Sequence, residues 1–263
     1  MTPKIISIHS YRGGTGKSNL TANIAATVAR KGYRVGIVDT DIQSPGIHLL
    51  FGLNENSVNR TLNNYLWGQC AIKDAVYDVT KILGQEANPR NRIYLVPSST
   101  KLNDISRILR ERLDVELLLE GFKDLIKDIK LDYLFIDTHP GLSQETLISL
   151  TTSDIVLLIL RPDQQDFQGT AVTVDVARKL KVPMLLLAIN KVLTDYDFKD
   201  LKRKVESTYQ AEVAGIIPES KEILRLASGG IFCLNYPKHP ISRTIDLISS
   251  QIILSKKSLA TKF

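Results

Sequence analysis

The chain alternates between short, almost continuous apolar runs and longer segments in which apolar residues recur at helical spacing. Runs such as YLFID, IVLLIL and MLLLAIN are typical of strands that are buried on both faces of a sheet. The pattern predicts strands at residues 4–10, 34–39, 92–97, 133–137, 155–160, 184–190 and 213–217. It predicts helices near residues 17–31, 102–130, 144–151, 168–180, 198–209 and 221–227, with a final helix at 242–255.

This repetition of strand and helix determines the predicted fold class. A chain of strand–helix units is expected to form an α/β fold, a doubly wound, mostly parallel sheet with helices on both faces. No linker, low-complexity tract or internal repeat interrupts the 263 residues, so residues 1–263 are predicted to form a single domain. Ligands of such sheets bind at the carboxyl ends of the strands, and the residues that follow each strand are therefore the candidate site.

The segment GGTGKS follows the first predicted strand and opens the first predicted helix, which is the context of a phosphate-binding loop. Glycines allow the backbone to approach an anion closely, and successive N–H groups can point at phosphates at the start of a helix. Lys17 is predicted to reach the β- and γ-phosphates, and the Ser18 hydroxyl to coordinate Mg²⁺. The expected cofactors are ATP and Mg²⁺. The predicted nucleotide-binding residues of this segment are Gly13, Gly14, Thr15, Gly16, Lys17, Ser18 and Asn19.

Residues 11–18, YRGGTGKS, resemble the deviant phosphate loop of the ParA/MinD ATPases, whose pattern is Lys-Gly-Gly-x-Gly-Lys-Ser/Thr. Tyr11 stands where the general loop pattern begins with glycine, and Arg12 stands where the family has its signature lysine. That lysine reaches across a sandwich dimer to the partner's nucleotide, so the resemblance implies a homodimer in which Arg12 acts in trans. Arginine keeps the charge and adds a planar fork that suits phosphate oxygens.

The resemblance continues at the ends of two further predicted strands. It implies that Asp41 positions the attacking water, that Asp39 lies near the metal, and that Asp137 holds Mg²⁺ through a water. Residues 138–141 resemble the second switch, which senses the γ-phosphate. His139 is interpreted as part of the switch structure, because phosphoryl transfer mainly requires positioning and charge stabilisation.

Two later segments resemble the parts of the family that contact adenine. Asn190, followed by Lys191 after an apolar strand, is similar to the residue whose amide pairs with the base. Pro218 matches the segment that covers the adenine from the other side. Simple turn roles for both positions remain open as the alternative.

The net charge of +6 and the pI of about 9.2 favour an acidic partner, DNA or anionic lipid. The segments DTDIQSPGIHLLFGL and RPDQQDFQGT resemble a MinD-like branch that includes the carboxysome-distributing McdA-type ATPases. This resemblance implies a cytoplasmic, nucleoid-associated protein that binds nonspecific DNA as an ATP dimer and is released by an adaptor of the McdB type. No helix-turn-helix or zinc signature is present, so such binding is predicted to be electrostatic.

The basic residues that could contact DNA are scattered along the chain. One helix mixes basic with acidic residues, which is typical of a solvated face. Arg225 and the pair Lys256 and Lys257 are better-placed candidates. The basic residues of the mixed helix are Lys199, Lys202, Arg203 and Lys204.

A membrane is the competing surface, because MinD-type proteins carry a short basic amphipathic helix at the C-terminus. Here Ile245, Ile248 and Ile252 share one helical face, a pattern that is more typical of core packing than of lipid binding. Membrane association is therefore the less favoured prediction. No apolar stretch approaches the roughly 20 residues needed to span a bilayer, and no signal peptide is recognised.

Other proteins with this loop require features that the sequence lacks. Reductases similar to the nitrogenase iron protein need two cysteines near the second switch, and residues 137–153 contain none. Iron–sulfur scaffold ATPases need a C-terminal CxxC, whereas Cys70 and Cys233 stand alone and are predicted to be free thiols in a reducing compartment. Tyrosine autokinases carry a Tyr-rich tail. A nucleotide-sensing module with little hydrolysis remains an open alternative if Arg12 does not replace the signature lysine.

Overall fold

The computed structural model describes residues 2–86, 90–111 and 114–255. Within these residues, eight strands join in one sheet with the order β3-β4-β2-β5-β1-β6-β7-β8. The strands are β1 (Lys4–His9), β2 (Arg34–Asp39), β3 (Tyr77–Asp78), β4 (Arg92–Val96), β5 (Tyr133–Asp137), β6 (Ile155–Leu160), β7 (Met184–Val192) and β8 (Glu212–Pro218).

The helices follow the strands along the chain. They are α1 (Lys17–Arg30), α2 (Ile47–Leu50), α3 (Leu62–Leu66), α4 (Leu102–Arg110), α5 (Val115–Ile129), α6 (Gln144–Thr152), α7 (Gln164–Lys179), α8 (Phe198–Tyr209), α9 (Lys221–Leu226), α10 (Phe232–Asn235) and α11 (Pro240–Leu254). Two short 3₁₀ helices lie at Ile72–Ala75 and Thr80–Glu86.

The pairing of the strands confirms the predicted fold class. Every neighbouring pair in the sheet is parallel except β3 with β4, which is antiparallel. The seven predicted strands are all present. The two-residue strand β3 was not predicted, because a segment this short gives no period-2 pattern.

Alternate side chains of β1 show how the sheet is covered on both faces. Ile6 and Ile8 belong to a core cluster that includes residues of α1 and α11, whereas Ile5 belongs to a second cluster that includes residues of α5. Successive side chains of a strand point to opposite faces, so this division places α1 and α11 on one face and α5 on the other. A third cluster packs α7 and α8 against β6, β7 and β8.

Three helical segments differ from the prediction by more than one residue, and each difference traces to a residue at a helix start. The segment predicted as one helix over 102–130 is two helices, because Asp114 caps α5 by accepting a hydrogen bond from Leu117 N. Helix α7 begins four residues earlier than predicted, where Asp163 accepts from Asp166 N. Helix α11 begins at Pro240, whose fixed φ suits a first helical position.

The C-terminal end of α11 is held by a lysine from the first strand. The buried ammonium of Lys4 donates to the carbonyl oxygens of Ile252 and Ile253, 3.2 Å from each, and to Ser255. These carbonyls belong to the last turn, which lacks intrahelical N–H donors, so the lysine acts as a cap from outside the helix. Ser255 Oγ also donates to Ile252 O, at 2.7 Å. The predicted core face of α11 is confirmed, since Ile245, Ile248 and Ile252 are buried. Among the described residues, no helix is both long enough and apolar enough to cross a membrane.

Candidate active site

The predicted site residues converge because β2, β5 and β1 are neighbours in the sheet. Asp39 and Asp137, the last residues of β2 and β5, are register partners and therefore lie side by side. The loop that follows β1 leads into α1 at the same edge of the sheet. This loop lines a cavity of about 220 Å³ together with Asp41. The structure thus brings the loop and the three aspartates together without assigning a role to any of them.

Two glycines give the loop its shape. Gly14 and Gly16 have φ angles of +76° and +92°, in the left-handed region that glycine adopts without strain. A Cβ on Gly16 would lie 2.4 Å from Nδ2 of Asn190, so a side chain at this position would displace that amide. Asn190 Nδ2 donates to Thr15 O at 2.7 Å, and Lys191 Nζ donates to Gly14 O at 2.8 Å. Residues near the carboxyl end of β7 therefore fix the loop from the side.

Lys17 lies at the centre of a buried cluster of charges. Its Nζ donates to Asp137 Oδ1 at 3.0 Å and lies 3.6 Å from Asp41 Oδ2, while Thr21 Oγ1 also donates to Asp137 Oδ1 at 3.0 Å. Burial alone would lower the pKa of Lys17, but the attraction of Asp137 and Asp41 outweighs it, so the pKa is raised. Lys17 is therefore a permanent cation in this cluster.

Asp39 is the least favourably placed of the three carboxylates. Burial, and then the neighbouring charge of Asp137, raise the pKa of Asp39 well above its ordinary value. The atoms Asp39 Oδ2 and Asp137 Oδ2 are buried and have no hydrogen-bond partner among the described residues. Unpartnered carboxylate oxygens of this kind fit a hard cation such as Mg²⁺ or its water ligands.

The few protein groups present are those expected of an Mg²⁺ ion whose remaining ligands are phosphate oxygens and waters. No group of three or more His, Cys, Asp or Glu side chains that could hold a metal occurs in the part of the chain that the structure describes. Mg²⁺ keeps several waters and is commonly bound by one or two protein groups together with phosphates, so such a group is not required. The residues present therefore fit Mg²⁺ bound with a nucleotide.

A second cavity, of about 330 Å³ and mostly apolar, adjoins the loop. Asn190 and Pro218, which were predicted to contact the adenine, both line it. The Asn190 amide nitrogen donates one of its two hydrogens to Thr15 O, so its second N–H and the amide oxygen are the groups that can pair with a base. The lining also includes Gly16, Asn19, Leu20 and Phe232.

Arg12 contacts acidic residues of its own subunit. Its Nη1 lies 3.5 Å from Asp163 Oδ1 and 3.7 Å from Asp166 Oδ1, at the start of α7. Arg161 contacts the same two carboxylates, at 3.1 Å each. Arg161 and Asp163 directly follow the predicted strand at 155–160. Because the sequence predicts that the next helix begins near residue 168, it does not indicate that these two residues lie beside the loop.

Tyr11 fixes the start of the loop against the same helix. A Cβ on Gly169 of α7 would lie 2.0 Å from the Tyr11 ring, so the ring packs directly on the helix backbone. Only a glycine at 169 allows this approach. Tyr11 therefore has a packing role at the place where the general loop pattern has glycine, a role that the sequence alone did not suggest.

Two histidines lie next to the charged cluster. His139 Nδ1 lies 2.7 Å from Asp41 Oδ1, and His9 Nδ1 lies 2.7 Å from Thr138 Oγ1. Thr138 Oγ1 donates to Ile8 O, so it accepts from His9 Nδ1–H. Burial, followed by the charges of Lys17 and His139, lowers the pKa of His9 to about 3. His9 is therefore neutral in the folded protein at neutral pH.

Acidification is expected to destabilise the protein through His9. Between pH 6.5 and about 3 the unfolded chain binds a proton at His9 that the folded chain excludes, so the free energy of unfolding falls as pH falls. The contribution is about 1.4 kcal/mol per pH unit. Melting temperatures of the wild type and His9→Asn, measured at pH 7.5 and pH 5.0, check this. The asparagine amide can donate to Thr138, and this variant should lose about 2 kcal/mol less on acidification. Equal losses would contradict the prediction.

The candidate DNA-contacting residues do not form a free basic face on α8. Lys202 pairs with Glu206 at 3.6 Å and Arg203 pairs with Asp200 at 3.0 Å, which agrees with the interpretation of a solvated face. Arg225 is exposed on α9. Lys256 and Lys257 lie outside the described residues.

Comparison with known proteins identifies the family. The AAA_31 family model, described as an AAA domain, matches residues 3–198. An uncharacterized ATP-binding protein of Methanocaldococcus jannaschii is 28% identical over 252 residues, which cover 95% of this chain and 88% of that protein.

Solved structures share the fold at lower identity. The septum site-determining protein MinD of Pyrococcus horikoshii, complexed with Mg-ADP, has a TM-score of 0.79 at 23% identity, covering 95% of this chain and 96% of that chain. An apo McdA of Cyanthece has a TM-score of 0.74 at 16% identity, covering 95% and 100%. P-loop ATPases use ATP and Mg²⁺, which confirms the predicted cofactors. The chain therefore belongs to the AAA_31 family of AAA-domain proteins and has the fold of the MinD/ParA P-loop ATPases.

Proposed function

We propose that the protein is a positioning ATPase that dimerises around ATP, binds DNA without sequence preference in that state, and hydrolyses ATP slowly until a partner stimulates it. The observation that carries the ATPase proposal is the buried cluster of Lys17 with Asp137 and Asp41 beside a glycine-shaped loop. The Lys17 ammonium contacts these carboxylates at the start of a helix, a place that favours bound anions. It can therefore exchange the carboxylates for the phosphate oxygens of a nucleotide.

The residues divide the work of phosphoryl transfer between them. The backbone of residues 13–18 and the side chain of Lys17 bind and orient the phosphates. Ser18, Asp39 and Asp137 would hold Mg²⁺, which supplies charge neutralisation for the phosphate oxygens. Asp41 positions the water, and Asn190 and Pro218 border the space for the base.

The proposal of a dimer rests on Arg12. Its guanidinium is about one-third exposed and contacts the subunit's own Asp163 and Asp166. Only the pair with Asp163 is exposed on both sides, since Asp166 is buried, but both contacts are long at 3.5 and 3.7 Å, so a phosphate group presented by a second subunit can compete for the arginine. Arg161 remains on both carboxylates when Arg12 leaves, which lowers the cost of the exchange.

DNA is the preferred acidic scaffold because of the net charge of +6. The structural similarity to McdA supports a cargo such as carboxysomes, reached through an adaptor of the McdB type. Cytoplasmic localisation on the nucleoid belongs to the same proposal. The similarity to MinD supports a second candidate, association with a membrane.

The membrane candidate has one structural observation in its favour. Leu247 and Leu254 are 66% and 80% exposed and lie seven residues apart on α11, opposite its buried isoleucines. Two leucines form a narrow apolar strip, and stable attachment to a bilayer needs a larger apolar face or a second signal. Anionic vesicles therefore belong in the test beside DNA.

We expect the protein to be a monomer without nucleotide or with ADP, and a dimer with ATP. The measurement is sizing of the Asp41→Ala variant, in which hydrolysis is slowed, in all three states. Each state is then mixed with nonspecific duplex DNA, or with vesicles of anionic phospholipid, at 50 and 200 mM salt. The ATP dimer alone should bind DNA, and affinity should fall steeply with salt because phosphate contacts release counterions.

Other outcomes identify the alternatives. Binding of the ATP dimer to vesicles but not to DNA would replace the DNA proposal with the membrane candidate. Equal DNA binding with ADP, or a monomer in every state, would contradict the nucleotide switch. If the wild type hydrolyses ATP no faster than Lys17→Ala, the protein is a nucleotide-sensing module.

A further inference from the structure

The segments after β2 and β5 are joined by a hydrogen bond between His139 and Asp41. The two atoms, His139 Nδ1 and Asp41 Oδ1, are 2.7 Å apart, and the side chains are 24% and 9% exposed. An ionised carboxylate can only accept, so Nδ1 carries the proton and donates. A short bond to a charged acceptor in a partly buried place is among the stronger hydrogen bonds of a protein.

The contacts of Asp41 show what this bond does. Oδ1 accepts from His139 and, at 3.3 Å, from Ser44 N, whereas Oδ2 lies 3.6 Å from Lys17 Nζ. A carboxylate rotates easily about its terminal torsion, which has broad and roughly two-fold preferences. Holding Oδ1 therefore also sets the direction of Oδ2. If phosphates draw Lys17 away, the bond from His139 continues to orient the carboxylate.

His139 is itself held firmly. Its carbonyl oxygen accepts from Thr146 Oγ1 at 3.2 Å, and the following Pro140 restricts its backbone to extended conformations. Gly141, with φ +83°, donates its N–H to Ser10 O at 3.1 Å. The imidazole thus projects from a segment fixed on both sides, as expected of a group that orients another.

We propose that His139 is a positioning residue for ATP hydrolysis, holding Asp41 Oδ1 so that Oδ2 faces the attacking water. This inference rests on the proposed ATPase function. In the reaction the water oxygen bonds to the γ-phosphorus, and the bond from that phosphorus to the bridging oxygen breaks with its electron pair left on ADP. The protons of the water remain with the released phosphate and the solvent. Asp41 accepts a hydrogen bond from the water and is unchanged at the end.

Three substitutions separate positioning from a merely structural role. Asparagine places Nδ2 the same number of bonds from Cα as His139 Nδ1, so His139→Asn can donate to Asp41. His139→Gln places its donor one bond further away, and His139→Leu fills the space without a donor. Melting temperatures identify any variant that fails to fold. If His139→Leu does not fold, the comparison of His139→Asn with His139→Gln still tests the proposal.

The experiment measures kcat and KM for Mg-ATP in the wild type and the three variants. We expect His139→Leu and His139→Gln to lower kcat by about 10–100-fold, as for other residues that orient a reacting group, with KM within about twofold. His139→Asn should retain kcat within about threefold. Adding His139→Leu to Asp41→Asn should cause no further loss, because the histidine acts through the aspartate.

Each contrary result has one meaning. The positioning role would be overturned if His139→Leu or His139→Gln kept the wild-type kcat, or if their effect were confined to KM or to the melting temperature. It would also be overturned if His139→Asn failed to restore kcat. The ATPase function would stand in all of these cases. An additive loss in the double variant would show that His139 acts independently of Asp41. A wild type no faster than Lys17→Ala would overturn the ATPase function, and the positioning role with it.

Discussion

Replacing Lys17 with alanine is expected to abolish ATP hydrolysis and also to destabilise the protein in the absence of nucleotide. Loss of a group that stabilises the phosphates should lower the rate by about 100-fold or more. The second effect follows from the buried cluster, because Lys17 Nζ contacts Asp137 and Asp41 directly. Removing one partner of a buried ion pair costs about 3–5 kcal/mol. That corresponds to a decrease in melting temperature of about 2–4 °C for each kcal/mol.

The pH dependence of this decrease has a definite sign. The pKa of Asp39 is already raised in the fold by burial and by Asp137, and loss of Lys17 raises it further. Between the unfolded and folded pKa values the folded chain binds more protons at Asp39, so this group stabilises the fold as pH falls. The difference in melting temperature between Lys17→Ala and the wild type should therefore narrow at acidic pH.

A matched control is available on the surface. Lys31 pairs with Asp246 at 2.7 Å, but both side chains are substantially exposed. Lys31→Ala should change the melting temperature by no more than about 4 °C, since exposed pairs contribute about 0–1 kcal/mol. If the two substitutions lowered the melting temperature equally, or if Lys17→Ala had wild-type stability, the charges of Asp137 and Asp41 would have to be neutralised in another way.

Replacing Arg12 with alanine is expected to lower kcat by about 10³-fold or more if the guanidinium stabilises the transferring phosphoryl group. Arg12→Lys should retain part of the rate, because lysine keeps the charge but loses the planar fork. The single variants do not show whether the arginine acts on its own subunit's nucleotide or on the partner's. Mixing two inactive variants answers that question.

The mixture combines Arg12→Ala with Asp41→Ala. If the partner subunit's Arg12 completes each site, a mixed dimer has one site with both groups present. Random pairing at equal concentrations should then restore about a quarter of the wild-type rate, since half of the dimers are mixed and each has one complete site. If Arg12 acts within its own subunit, no mixed dimer has a complete site, and the mixture should stay inactive.

The sequence predicts the parts of the structure that depend on local pattern. The strands are apolar runs, the loop is a motif of adjacent residues, and Asp39 and Asp137 each end an apolar run. Their convergence follows from the general geometry of parallel sheets. The break between α4 and α5 was missed because a capping aspartate, Asp114, interrupts a continuous helical periodicity.

Contacts between distant residues could not be predicted in the same way. The bond from His139 to Asp41 joins residues 98 positions apart and requires β2 and β5 to be neighbours, which the pattern does not specify. The ion pairs of Arg12 similarly require the start of α7 to lie beside the loop. The sequence places His139 in the switch segment but does not show which residue its imidazole contacts. The bond gives this residue a specific contact with Asp41.

The cap that Lys4 provides also determines how the molecule would carry a mechanical load. The ammonium of Lys4 ties the last turn of α11 to the first residue of β1, a strand that is hydrogen-bonded to β5 on one side and β6 on the other. We expect tension applied at Ser255 to be passed in part through these contacts to the middle of the sheet, where the ladders on both sides of β1 would resist it together. The end of the described chain is thus a firm point of attachment, fastened to the strand from which the loop departs.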